Sequence, residues 1–132
     1  MAGILVVEDD EQVRTLAVTI LEEAGHETRS AASTTEADTI IRSDAQFDVL
    51  FVDFTLLDDT YAGAEDRYAG LDLAQAAASS RPGLRVVYTT GRGIKDGMIS
   101  LFVQPSIFLA KPYSREQLVK AVADVLTMHG SV

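Results

Sequence analysis

Two kinds of apolar spacing alternate along the chain. Ile4-Leu5-Val6-Val7 and Val49 to Val52, with Phe47 just before, are short apolar runs that read as buried strands, and Leu84 to Thr90 and Ser106 to Ala110 read as two more strands. His26 to Ala31 is more polar and reads as a strand near a sheet edge. Between these runs, apolar residues recur at three and four positions. Val13, Leu16, Ala17, Ile20, Leu21 and Ala24 predict one face of a helix, started by Asp10 and Glu11 and stopped by Gly25. Ala37, Ile40 and Ile41 predict a second, capped by Ser33 or Thr34. Leu71, Ala74, Ala77 and Ala78 predict a third over 70–80, broken by Arg81-Pro82-Gly83. Leu118, Val119, Val122, Val125 and Leu126 predict the last, opened by the capping box Ser114-Arg115-Glu116-Gln117. Ile94 to Gln104 predicts only a poor helix, with Gly97 inside it and Pro105 closing it.

Five strand signals thus alternate with five helix signals. Crossovers of that length join parallel strands with right-handed connections, so the expected fold is an α/β doubly wound sheet with helices on both faces. Residues 56–69 break the alternation. They carry Asp58, Asp59, Glu65 and Asp66 without clear periodicity and read as a long acidic loop.

A parallel arrangement gathers the strand ends at one edge, where ligands bind in open α/β sheets. The first strand ends in Glu8-Asp9, the third in Asp53, the fourth in Thr89-Thr90 and the fifth at Lys111. Three carboxylates at one edge repel each other, and a divalent cation relieves that repulsion; oxygen ligands favour Mg²⁺ over zinc. With Lys111 and a threonine hydroxyl beside it, the edge becomes a site for a phosphoryl group. Asp10 reads as a helix start rather than a ligand. His26 and His129 read as surface residues, and no nucleophile–His–Asp triad can be built from them.

Composition narrows the possibilities. The 132 residues suffice for one domain, taken as 1–132. Eleven Lys and Arg against twenty Asp and Glu give a net charge of −9, which argues against nucleic acid as a direct partner. No cysteine is present, so disulfides and thiolate metal sites are excluded. The apolar runs fall short of a membrane span, and Met1-Ala2-Gly3 leads straight into a strand, so the expectation is a soluble cytoplasmic protein with no membrane partner.

In order, Leu5-Val6-Val7-Glu8-Asp9-Asp10, Phe47 to Asp53, Gly70-Leu71-Asp72-Leu73, Val87-Tyr88-Thr89-Thr90-Gly91 and Phe108-Leu109-Ala110-Lys111-Pro112-Tyr113 resemble the receiver domain of two-component response regulators over nearly the whole chain. The resemblance implies the flavodoxin-like strand order 2-1-3-4-5. It implies Asp53 as phosphoacceptor, with Mg²⁺ held by Asp9, Asp53 and the Thr55 backbone carbonyl, and by Glu8 largely through water. It further implies Thr90 as switch hydroxyl, Lys111 as phosphate partner, Phe108 as aromatic switch and a cis bond before Pro112. Thr90 is preferred over Thr89 because the family places a small residue directly after the switch hydroxyl, and Gly91 follows Thr90. The implied partners are a sensor histidine kinase or histidine phosphotransfer protein upstream and a downstream protein target. No turnover is implied beyond self-phosphorylation and autodephosphorylation.

Two features depart from the family. Asp53 to Gly70 spans seventeen positions (70 − 53), longer than the family's usual spacing, and lacks a proline between. The segment after Thr90 lacks the Ala-rich helical face, so docking on that side is expected to differ. Thr55 and Arg92 fall at positions that, by resemblance, tune water attack on the acyl phosphate. The expectation is a stand-alone receiver that signals by protein–protein contact or onward phosphotransfer. Two alternatives stay open: a degenerate receiver acting as a phosphorylation-independent binding module, and a phosphatase with Asp53 as nucleophile. The second usually requires an aspartate where Thr55 stands.

Overall fold

The computed structural model describes residues 2–54, 69–91 and 98–128. In chain order these form β1 (Gly3–Val7), α1 (Glu11–Glu23), β2 (Glu27–Ala31), α2 (Thr34–Arg42), β3 (Val49–Asp53), α3 (Ala69–Ser80), β4 (Arg85–Thr90), a 3-10 turn (Met98–Leu101), β5 (Ser106–Ala110) and α4 (Arg115–Thr127). The strands make one parallel five-stranded sheet in the order β2-β1-β3-β4-β5, the flavodoxin-like arrangement.

Strand alternation sorts the core into two layers. Leu5, Val7, Leu50, Val52, Val86 and Tyr88 face one way, packing with Ala37 and Ile41 of α2 and Leu71, Ala74 and Ala77 of α3. Ile4, Val6, Val49, Phe51 and Val87 face the other way, against Ala17, Ile20 and Leu21 of α1 and Leu118, Val122 and Val125 of α4. β3 is buried at all five positions, as a central strand with helices on both faces must be. β2 exposes Glu27, Arg29 and Ser30, the polar dress of an edge strand.

Local chemistry sets the helix starts. The Asp10 side chain accepts from the N–H groups of Gln12 and Val13 at 2.9 and 3.1 Å, so it caps α1. Ser33 caps α2. The Ser114–Gln117 capping box forms in both directions. Gly25, at φ 96°, supplies the left-handed turn that ends α1.

Three sequence expectations require correction. Leu16, placed on the inward stripe of α1, is 57 % exposed, and Ala24 is exposed too. The buried arc of α1 is narrower because the sheet is covered at Ala17, Ile20 and Leu21, with α4 alongside. The fifth helix signal does not give an α-helix through 98–104. Those residues form one 3-10 turn and then bend at Phe102 and Gln104 into the cis Gln104–Pro105 bond. Proline has no N–H for a helical ladder, and Phe102 turns inward instead, stacking on Tyr88 at 4.1 Å between ring centroids. His26 is half-buried rather than a surface residue, its Nδ1 accepting from the Ala2 N–H at 3.2 Å. Burial lowers its pKa below the usual histidine value. The loop expected at 56–69 lies outside the described residues except for Ala69, which already belongs to α3. Among the described residues, no helix is long and apolar enough to cross a membrane.

Candidate functional site

The site lies at the C-terminal edge of the sheet, where β1, β3, β4 and β5 end side by side. The ladder continues a step past β1 and β5. The Glu8 N–H donates to the Ala31 carbonyl at 3.1 Å, and the Lys111 N–H to the Thr90 carbonyl at 3.0 Å. That backbone hold fixes where the two side chains leave the sheet. Register does the rest: Val7 pairs with Val52, and Asp53 pairs with Thr89.

Glu8 and Asp53 are buried, at 4 % and 7 % exposure, although both are acidic. Asp9 is exposed beside them. Each of the three offers one carboxylate oxygen within 4.8 Å of the others. Lys111 reaches into the cluster: its ammonium donates to Asp53 Oδ2 at 2.9 Å and is ion-paired with Glu8 Oε1. Burial pushes the Glu8 carboxyl above the ordinary value, with the Lys111 ammonium pulling the other way. Burial works to lower the Lys111 pKa, but the bonds and charges of Glu8 and Asp53 overcome it, and the net shift is upward. The lysine is therefore held as a cation.

Among the described residues the cluster holds three carboxylates and the Lys111 ammonium, a net acidic site of the kind a divalent cation neutralises. The donors are all hard oxygens, with neither thiolate nor imidazole among them, so the set fits Mg²⁺ rather than zinc. The Thr55 carbonyl, the fourth expected ligand, lies outside the described residues, as do Arg92 and the acidic positions Asp58, Asp59, Glu65 and Asp66.

Thr90 is 1 % exposed at the end of β4, directly before exposed Gly91. By strand alternation it shares the α2/α3 face with Phe108, which is half-buried and 6.2 Å from the Phe54 ring. Phe54 follows Asp53 in the chain and also touches Tyr88 and Phe102, at 6.3 and 5.7 Å. The residue after the buried aspartate is thus joined by aromatic contacts to the expected switch position. The Lys111–Pro112 bond is cis.

Sequence reading missed three participants. Arg14, one turn into α1, donates to the Glu8 carbonyl at 2.9 Å and steadies the strand end. A basic residue on the first turns of the helix after an acidic strand end was the available signal. Tyr113 packs edge-on to Phe51 at 5.9 Å. Burial raises its phenol to about 12, with Lys111 lowering it and Glu8 and Asp53 raising it. Gly70 lets α3 lie against the end of β3: a Cβ there would stand 2.4 Å from the Asp53 carbonyl oxygen and from Phe54 Cα. Beside the charged cluster, Val13, Leu16, Gly91, Lys111, Pro112 and Tyr113 line an open, mostly apolar groove of about 340 Å³.

A parallel 2-1-3-4-5 sheet with an acidic cluster and a lysine at its C-terminal edge defines a known class. The family profile for the response regulator receiver domain matches residues 4–123, and the chain belongs to that family. It is similar to the DNA-binding transcriptional regulator NtrC of Azospirillum brasilense, 29 % identical over 128 residues, covering 95 % of this chain and 24 % of the regulator. The chain thus spans about a quarter of that relative's length. Among solved structures it resembles a response regulator receiver protein from Sinorhizobium medicae WSM419, with TM-score 0.79, 25 % identity, and coverage of 94 % and 93 % of the two chains. It also resembles NtrX from Brucella abortus, with TM-score 0.77 and 30 % identity over 95 % of this chain and 26 % of that one.

Proposed function

We propose that this receiver accepts a phosphoryl group on Asp53 from a phosphohistidine of a sensor histidine kinase or histidine phosphotransfer protein, in a Mg²⁺-dependent reaction. The observation that carries this reading is the Lys111 ammonium held at 2.9 Å from Asp53 Oδ2 inside a three-carboxylate cluster. Glu8, Asp9 and Asp53, with the Thr55 carbonyl added by family resemblance, would hold the cation. When bound, Mg²⁺ would neutralise the carboxylates and the phosphoryl oxygens.

The chain's own residues supply the remaining steps. An Asp53 oxygen attacks phosphorus in line as the nitrogen–phosphorus bond of the donor breaks, and the donor imidazole departs with the electron pair. Lys111 exchanges its carboxylate contacts for a phosphoryl oxygen, and the Thr90 hydroxyl donates to another. The groove beside Lys111, with Leu16 exposed on its rim, offers apolar surface on which the donor protein docks next to the acceptor. Phosphorylation then biases Thr90 and Phe108, and a downstream protein reads the changed face by contact or by onward phosphotransfer. The protein acts in the cytoplasm, and its chemistry is confined to self-phosphorylation and autodephosphorylation.

The test is incubation with a small phosphodonor and Mg²⁺, read by intact mass. Wild type gains one phosphoryl group and Asp53→Asn gains none. No gain in the wild type would leave a binding module that works without phosphorylation.

A further inference from the structure

We propose that the outer edge of β5 is an interface between two copies of this chain. Ser106 to Ala110 of each copy pair antiparallel about a two-fold axis at Phe108 and join the two sheets into one. This surface lies outside the acidic cluster and does not depend on Asp53 as phosphoacceptor.

The backbone supplies the first observation. β5 is the last strand of the sheet and pairs only with β4 among the described residues. The Val86 N–H donates to the Pro105 carbonyl at 3.2 Å, and the Lys111 N–H to the Thr90 carbonyl at 3.0 Å. Backbone groups alternate sides along a strand, so those of Ile107 and Leu109 also turn toward β4. Those of Ser106, Phe108 and Ala110 turn to the outer edge, a row of donors and acceptors open to another strand.

Charge supplies the second. β2, the other edge, exposes Glu27 and Arg29, charges of the kind that keep edge strands apart. β5 carries no charge: Ser106, Ile107, Phe108 and Leu109 are half-buried and Ala110 is exposed. The turn leading into it adds exposed Ile99 and Leu101. In a chain of net charge −9, this uncharged edge is where a second copy meets least repulsion.

The strand is also complementary to itself. Antiparallel pairing about Phe108 sets Phe108 against Phe108, Ile107 against Leu109 and Ser106 against Ala110. Ser106, Phe108 and Ala110 then each exchange both backbone bonds with the residue opposite. The faces agree, since Phe108 belongs to the α2/α3 layer and Ile107 and Leu109 to the α1/α4 layer. Apolar meets apolar, small meets small, and no like charges are opposed. Two-fold pairing uses up the β5 edge, and the charged β2 edge resists further addition, so assembly closes at two copies.

The test is sedimentation velocity and backbone amide exchange on the full chain with no phosphodonor present. One strand pair is a small interface, so a dimer half-formed at about 10–100 μM is expected, tightening as salt screens the net charge. Well above that concentration the Ser106, Phe108 and Ala110 amides should exchange about fivefold more slowly than in dilute protein, while those of Ile107 and Leu109 stay protected throughout. Ala110→Glu is expected to weaken association about fivefold. Adding Ser106→Lys should restore it, because each new lysine faces the new glutamate of the other copy. Adding Ser30→Lys instead, on β2, gives the same net charge and should restore nothing. If the Ser106→Lys protein does not fold, the wild-type amide pattern decides alone. A monomer up to about 1 mM, a dimer whose three outward amides exchange as fast as in the monomer, growth beyond two copies, or equal recovery with Ser30→Lys would overturn the proposal.

Discussion

Tyr88 shows how one side chain ties the site to the segment that follows it. Its ring lies in the α2/α3 layer against both Phe54 and Phe102, and its hydroxyl oxygen accepts from the Val103 N–H at 2.8 Å. Burial pushes the phenol up to about 12 from an ordinary 10. The folded state therefore holds the phenolic proton where the unfolded chain gives it up. Below about pH 10 that contribution to stability is fully present, and it is lost as pH rises toward 12. Urea unfolding at pH 8, 10 and 11 should show stability falling across that window. Tyr88→Phe should flatten the fall, with Tyr113 supplying what remains. At neutral pH the same variant should lose about 1 kcal/mol, because the Val103 N–H loses its acceptor.

Among the elements, α3 and the turn before β5 depart most in character from a plain amphipathic pattern. α3 is rich in small residues, and Gly70 brings its first turn against the end of β3. Gly70→Ala would press a methyl group into backbone at 2.4 Å, too close for any real contact. The expected outcome is a loss of about 1–3 kcal/mol by thermal or urea unfolding, together with slower phosphorylation as the Asp53 backbone shifts. Gly70 was legible in the sequence as the start of a helix. Its close approach to Asp53 was not, because that depends on how a helix and a strand seventeen positions apart are stacked. The fate of 98–104 was half legible. Gly97 and Pro105 marked a weak helix, whereas the inward turn of Phe102 depended on Tyr88 lying opposite it on β4.

Across the fold, charge is the dominant strain. The chain carries −9, and three of its carboxylates stand at one sheet edge, where Lys111 is ion-paired with two of them. A cation that binds the folded site and not the unfolded chain must raise stability by mass action. Mg²⁺ should therefore raise the melting temperature more than NaCl of equal ionic strength, since screening alone acts on all charges alike. Asp9→Asn should remove most of that difference. Scanning calorimetry of both proteins in the two salts checks it, and an equal response of wild type to either salt would count against a cation site here.

Strand runs, helix stripes, caps and the order in which Glu8, Asp9, Asp53, Thr90 and Lys111 occur were all readable along the chain, because each depends on neighbours a few positions away. Parallel pairing followed from the alternation of strands and helices, and with it the expectation that these residues meet. What lay beyond that reading is set by contacts between distant segments. Leu16 is exposed because α1 covers the sheet with a narrower arc than its apolar stripe. Lys111 bridges Glu8 and Asp53 because register brings them together across positions 103 and 58 apart in the chain. Asp53 and Thr89 stand opposite each other in the β3–β4 ladder for the same reason. Side-chain periodicity is a local property of the backbone, whereas the neighbours a side chain meets depend on how whole strands and helices are stacked.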